Sequence, residues 1–97
     1  MIVSFGDKAT EAVFNNTPIR LMKRFPADVL KRASQKLDYL NGASDLIDLE
    51  APPGNRLELL GGDLKGFHSI RVNDQWRIVF QWQGSDAHQV RLVDYHR

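Results

Sequence analysis

The sequence contains no cysteine among its 97 residues. This absence excludes disulfide bonds, zinc ribbons, iron–sulfur clusters and catalysis by a thiol. Small secreted domains generally depend on disulfides, so we expect this chain to work in the cytoplasm. Its length predicts a single domain over residues 1–97, with a hydrophobic core of modest size.

Long hydrophobic runs are also missing from the sequence. No segment approaches the roughly 18 apolar residues that a membrane-spanning helix requires. The first residues, from Met1 to Phe5, have neither the basic start nor the apolar stretch of a signal peptide. We therefore expect no membrane association.

Neither sign of charge is in excess, since 13 Lys and Arg residues are balanced by 12 Asp and Glu residues. The formal net charge of +1 argues against a strongly basic nucleic-acid binder. Such a total does not say which face of the fold carries the charges. The placement of individual basic residues therefore matters more than their number.

The sequence pattern predicts helices in the first half of the chain. Residues 2–5 predict an opening strand, and Asp7 can cap a helix that continues to about Asn16. Pro26 suits the first turn of a second helix, which ends at Gly42. Its inner face is predicted from apolar residues three or four positions apart: Leu30, Ala33, Leu37 and Leu40.

Strand-like segments separated by turns fill the second half of the chain. They comprise residues 57–60, 67–72, 76–82 and 87–95. The whole order predicts an α+β fold, in which two N-terminal helices pack on a twisted, mainly antiparallel sheet.

The hairpin made by the two middle strands has a register that follows from its polarity. A loop of three residues between Val72 and Trp76 puts the large apolar side chains on one face. The same register puts Arg71 opposite Arg77 on the other face. Two opposed arginines repel each other by roughly a few tenths to 1 kcal/mol, so an anion between them is expected.

The last strand adds to this open face. If Val90 and Leu92 point into the core, Arg91 and Tyr95 lie on the same side as the opposed arginines. Such a surface resembles a platform for RNA phosphates and bases. The alternative is that each arginine is neutralised by a local carboxylate, such as Asp63 or Asp74.

Three segments of the chain stand out together: PPGNRLE at residues 52–58, SIRVNDQWRI at residues 69–78 and VDYH at residues 93–96. In this order and spacing, they resemble the HigB group of the RelE/ParE toxin superfamily. The resemblance implies the RelE-like microbial ribonuclease fold. It also implies a toxin of a type II toxin–antitoxin system that cleaves messenger RNA on the ribosome, without a metal or any other cofactor. The implied partners are a HigA-like helix-turn-helix antitoxin and, only through that complex, operator DNA.

The resemblance and the chemistry of RNA cleavage together suggest site residues. Cleavage by the RNA's own 2′-hydroxyl needs positive charge at the phosphate, and Arg71 and Arg77 are the candidates. A base and an acid are also needed, and the candidates are Asp94, Tyr95, His96 and Glu58. The candidates for further RNA contacts are Arg56, Lys65 and Arg91.

Several of these residues also have a purely structural interpretation. His96 can be frayed and inert near the chain end. Asp94 can serve as an acceptor for an arginine, and Glu58 and Lys65 can simply be solvated.

The chain departs from the resemblance at two positions. Many HigB-like toxins carry a lysine where this chain has Gly61, and some carry a histidine where it has Glu58. These departures keep two alternatives open. One is a ParE-like toxin that inhibits DNA gyrase, and the other is a catalytically weak toxin that acts mainly in a repressor complex.

Overall fold

A computed structural model describes residues 1–95, apart from the side chain of Pro53. Its helices and strands are α1 (Lys8–Asn15), α2 (Ala27–Gly42), β1 (Glu58–Leu59), β2 (His68–Arg71), β3 (Trp76–Gln83) and β4 (Asp86–Asp94). The strands form one antiparallel sheet in the order β1-β2-β3-β4. This architecture confirms the predicted α+β fold. Among residues 1–95, no helix has the length and apolar character needed to cross a membrane.

Helix α1 is defined at both ends and fastened to the sheet. The Asp7 carboxylate accepts a hydrogen bond from the Thr10 backbone N–H at 2.8 Å, as expected for a helix cap. The helix is closed by Asn16, whose φ of 54° is left-handed. The buried Thr10 hydroxyl then accepts the Leu92 N–H at 2.9 Å, which ties α1 to β4.

Helix α2 packs its apolar face against the sheet, but the stripe begins one residue earlier than predicted. Val29 is buried, whereas Leu30 is only partly buried and packs against the core from its edge. Both positions fit a 3.6-residue period, since they precede Ala33 by four and three residues. The remaining buried positions are the predicted ones: Ala33, Leu37 and Leu40.

The predicted opening strand is reduced to two parallel bridges. Ile2 pairs with Ala87, and Phe5 pairs with Val90, along the outer edge of β4. Between these bridges β4 changes register, and Gln89 adopts a left-handed φ of 55°. This irregularity interrupts the ladder, which is why residues 2–5 do not form a continuous strand.

The β2–β3 hairpin has the predicted register. Ile70 pairs with Ile78, and Arg71 pairs with Arg77. The loop is closed by Asn73, whose side-chain oxygen accepts the backbone N–H groups of Gln75 and Trp76 at 2.9 and 2.8 Å. The core face of the sheet is buried under the helices through residues that include Ile70, Ile78, Phe80, Val90 and Leu92. The opposite face carries the two arginines.

Candidate active site

A cleft of about 480 Å³ opens at the end of the sheet where β2 turns into β3. It is lined by Arg56, Arg71, Asn73, Asp74, Gln75, Arg77 and Tyr95. Three of these side chains are guanidinium groups, although the chain as a whole is nearly neutral. The cleft therefore concentrates positive charge that the net charge does not reveal.

Arg77 forms the floor of this cleft, and it is only 4% exposed. Its Nη1 atom donates to the Ser69 hydroxyl at 2.5 Å and to the Arg56 carbonyl at 3.4 Å. Its Nη2 atom lies 3.4 Å from a carboxylate oxygen of Glu58. A buried charge needs such partners, and together they fix the direction of the guanidinium.

Arg71 lies across the hairpin from Arg77 and forms an ion pair with Asp74. The distance between Arg71 Nη2 and Asp74 Oδ1 is 2.5 Å. The hydrogen bond and charge of Arg71 hold the pKa of the Asp74 carboxyl below its usual value, and Arg56 adds to this effect. Both hairpin arginines thus have a local carboxylate, as the alternative interpretation expected. For Arg77 this carboxylate is Glu58, not Asp63.

The end of β4 brings one candidate proton-transfer residue, Tyr95, into the lining of the cleft. The Tyr95 backbone N–H donates to the Gln75 carbonyl at 2.6 Å, which fixes Tyr95 beside the hairpin loop. The centroid of its ring lies 5.3 Å from the guanidinium carbon of Arg77. Asp94 pairs with Trp76 and does not line the cleft, but its carboxylate accepts a hydrogen bond from the Gln75 side chain at 3.0 Å. The third candidate, His96, lies outside the described residues.

The candidates for further RNA contacts are divided between the cleft and its surroundings. Arg56 lines the cleft. Arg91 pairs with Val79 on β3, two positions from the pair that contains Arg77, and its guanidinium lies 5.8 Å from the centroid of Phe67. Lys65 is exposed and follows the short turn Gly62–Leu64. The side chains of Arg91 and Lys65 are not among those that line the cleft.

Two residues near the cleft, Lys36 and Asn55, were not identified as site candidates from the sequence. Asn55 is fully buried, and its side-chain oxygen accepts a hydrogen bond from Lys36 on α2. Burial is the main cause that lowers the pKa of the Lys36 ammonium, and the nearby charges of Arg71 and Arg32 lower it further. No local sequence pattern relates Lys36 to Asn55, because they come together only when α2 packs under the loop.

The arrangement suits the binding of a phosphodiester. A fixed guanidinium and a second, half-buried one can share the oxygens of one phosphate. The neighbouring tyrosine ring offers a surface on which a base can stack. Glu58, beside Arg77, supplies a carboxylate that can exchange protons.

Comparison with known proteins finds relatives in sequence and in fold. Toxin HigB-1 of Vibrio cholerae is 40% identical over 84% of this chain and 84% of its own length. Endoribonuclease HigB of Proteus vulgaris is 31% identical over 99% of this chain and all of its own length. A solved YoeB–YefM complex from Staphylococcus aureus shares the fold, with a TM-score of 0.57 at 20% identity, over 100% of this chain and 97% of that one.

Residues 3–96 also match the model of the HigB-like toxins, described as the RelE-like toxin of the type II toxin–antitoxin system HigB. The match covers the hairpin arginines, the loop that carries Arg56 and the end of β4. On the strength of this match and of the curated relatives, the chain belongs to the HigB-like toxin family.

Proposed function

We propose that this chain is a metal-free endoribonuclease that cleaves messenger RNA on the translating ribosome and thereby inhibits growth. The observation that carries the proposal is the buried Arg77 at the floor of a cleft that also contains Arg56 and Arg71. Glu58 and Asp74 offset part of this charge, but three guanidinium groups in one cleft still favour a role in binding an anion. The relative from Proteus vulgaris is named an endoribonuclease, which supports the same reaction here.

The proposed reaction uses the RNA's own 2′-hydroxyl as nucleophile. A base removes the proton of this hydroxyl, its oxygen attacks the adjacent phosphorus, and the bond from phosphorus to the 5′-oxygen breaks. An acid gives the leaving 5′-oxygen a proton, so the products are a 2′,3′-cyclic phosphate and a 5′-hydroxyl. Arg77 and Arg71 stabilise the extra negative charge on the phosphate oxygens in the transition state.

The proton-transfer roles are assigned to four candidates. His96 is proposed as an acid or a base, because a histidine side chain can exchange protons near neutral pH. Asp94 is proposed either as the base or as the group that orients His96. Tyr95 is proposed to stack on a base or to donate a proton. Glu58, beside Arg77, is a further candidate base.

RNA contacts are proposed to extend beyond the scissile phosphate. Arg56 lines the cleft and can reach a phosphate next to the cut. Lys65 and Arg91 lie outside the cleft and are assigned to phosphates farther along the strand. A domain of this size with a local cationic cleft is better suited to RNA that the ribosome already holds than to free RNA.

The partners proposed for this chain follow from its family. A HigA-like helix-turn-helix antitoxin neutralises it, and operator DNA is bound only through that complex. A solved YoeB–YefM toxin–antitoxin complex contains a protein of this fold, which supports such a partnership. We assign the chain to the cytoplasm, without membrane association, as one domain over residues 1–97.

Mapping of messenger RNA ends in bacteria tests the proposed function. Wild-type chain, Arg77→Ala and His96→Gln are expressed in turn, with Arg20→Ala as a control in an exposed turn. We expect new cuts within translated frames for the wild type and for the control, and far fewer cuts for the other two. Unchanged cutting by Arg77→Ala and His96→Gln contradicts the assigned site.

The same expression experiment separates the two alternative functions. Gyrase-linked DNA breaks with intact messenger RNA point to the ParE-like function. Repression of a reporter operon by the toxin–antitoxin complex, without RNA cleavage or DNA breaks, points to the catalytically weak toxin. Either result overturns the ribonuclease proposal.

A further inference from the structure

The loop that ends at Arg56 and leads into the cleft is anchored by one buried side chain, that of Asn55. Asn55 is fully buried, and both ends of its amide are engaged. Its Nδ2 group donates to the Leu49 carbonyl at 3.2 Å, and its Oδ1 atom accepts from the ammonium of Lys36. Asn55 therefore joins the loop to the Leu46–Leu49 turn and to helix α2 at the same time.

The residue that follows, Arg56, is held in an unfavourable backbone conformation. Its φ and ψ of 45° and 59° are left-handed, which costs a residue other than glycine roughly 1–3 kcal/mol. Such a conformation persists only where the surroundings enforce it. The buried contacts of Asn55 immediately before it provide this constraint.

The constrained Arg56 peptide acts directly on the cleft. Its carbonyl oxygen accepts a hydrogen bond from Nη1 of Arg77 at 3.4 Å. The Arg56 side chain lines the same cleft. A shift of this peptide would move an acceptor of the buried guanidinium, so the position of Arg77 depends on what holds the loop.

We propose that Lys36 and Asn55 are positioning residues, which hold the Arg56 peptide where its carbonyl receives Arg77 and so place that guanidinium for the reaction. This inference rests on the proposed ribonuclease function and adds two residues to its machinery. Neither residue is among those that line the cleft, so they act through Arg56 and Arg77 and not on the RNA. Misplacement of a charge-stabilising group by about 1 Å is enough to slow a reaction by about a hundredfold.

A set of lysine variants tests the proposal. Lys36→Met removes the hydrogen bond to Asn55 but keeps most of the aliphatic side chain. Lys36→Arg keeps the charge and the donor, and Lys31→Met is the matched control because Lys31 is an exposed lysine of the same helix. Asn55→Asp provides a second disruption, since it keeps an acceptor for Lys36 but loses the donor to the Leu49 carbonyl.

The first measurement is the rate of RNA cleavage on programmed ribosomes. We expect kcat to fall about tenfold for Lys36→Met and Asn55→Asp, with KM changed less than twofold. Lys36→Arg is expected to recover most of the rate, and Lys31→Met to behave as wild type. A rise in KM at unchanged kcat would instead show that Lys36 contributes only charge, and it would overturn the positioning role.

The second measurement is the ¹⁵N NMR signal of the Arg77 guanidinium in the free protein, which does not depend on cleavage. We expect Lys36→Met to shift or broaden this signal and Lys31→Met to leave it in place. An unchanged signal in folded Lys36→Met and Asn55→Asp overturns the positioning role. If the wild type cleaves no RNA, the proposed function fails, whereas the Arg77 signal still decides whether Lys36 and Asn55 position this residue.

Discussion

The guanidinium carbon of Arg77 lies 5.3 Å from the centroid of the Tyr95 ring, although the two residues are 18 positions apart in the sequence. The hydrogen bond from the Tyr95 N–H to the Gln75 carbonyl fixes this contact by fastening the end of β4 to the hairpin loop. A cation placed over an aromatic ring is stabilised by about 0.5–2 kcal/mol. The guanidinium at the floor of the cleft and the aromatic ring at its side are thus in direct contact.

This contact predicts different effects for two changes of Tyr95. Tyr95→Phe keeps the ring over Arg77, so we expect the cleavage rate on ribosomes to fall less than about tenfold. Tyr95→Ala removes both the ring contact and the stacking surface, and we expect a fall of about a hundredfold. Equal and large losses in both variants would show that the hydroxyl, and not the ring, is what the reaction requires.

Arg77 is predicted to contribute far more to cleavage than to the stability of the fold. In Arg77→Met the repulsion from Arg71 disappears, and Glu58 remains partly in contact with water. The lost contacts with Tyr95 and Ser69 act in the opposite direction. We therefore expect the free energy of unfolding in urea to fall by no more than about 2 kcal/mol, while cleavage is lost. A loss of stability of about 3 kcal/mol or more would make Arg77 a structural residue and favour the local-carboxylate interpretation.

Asp74 is predicted to weaken the affinity for RNA, because its exposed carboxylate forms an ion pair with Arg71 and competes with a phosphate for this guanidinium. Asp74→Asn removes this competing carboxylate and leaves Arg71 available to a phosphate. We expect the Kd for a short single-stranded RNA to fall about threefold, and the salt dependence of binding to steepen by about 0.7 in log–log slope. Arg71→Gln is the matched control and should weaken binding. Unchanged affinity in Asp74→Asn would place the bound phosphate away from Arg71.

His68 is predicted to make the protein less stable in mild acid. Burial lowers the pKa of its imidazole, whose Nδ1 atom has no hydrogen-bond partner among residues 1–95. The unfolded chain therefore binds a proton more readily than the native one, so stability falls as the pH drops below about 6.5. We expect the free energy of unfolding, measured in urea, to depend less on pH between pH 7 and 5 in His68→Leu than in the wild type. The same dependence on pH in both proteins would contradict this role for His68.

The fold was largely predictable from the sequence. The spacing of apolar residues predicted the helices and strands, and the register of the β2–β3 hairpin followed from its polar and apolar faces. The alternation of Ile70, Val72, Trp76 and Ile78 fixed the hairpin, since a slip of one residue would bury Arg71. The predicted start of the α2 stripe was off by one residue, because Val29 and Leu30 both fit the helical period and the buried one is Val29. The interrupted opening strand was not predictable, because it depends on the left-handed Gln89 in a strand more than 80 residues away.

The candidate site was predictable only where family motifs or strand alternation marked it. Alternation placed Arg71 and Arg77 on one face, and the register then placed them opposite each other. The alternation of residues along the strands did not reveal that Arg91 lies near the Phe67 ring, or that Glu58 lies beside Arg77. The contact between Lys36 and Asn55 has no sequence signal at all, since it depends on how a helix packs under a loop.

The most direct test of the central claim is cleavage of a messenger RNA whose 2′-hydroxyl at the cut is blocked by a methyl group. The RNA is bound to programmed ribosomes, and cleavage by the wild-type chain is compared with that of the unmodified RNA. We predict that the unmodified RNA is cut to a 2′,3′-cyclic phosphate and a 5′-hydroxyl, and that the methylated position is not cut. Cleavage at the methylated position, or no cleavage of either RNA, would contradict the proposed metal-free ribonuclease.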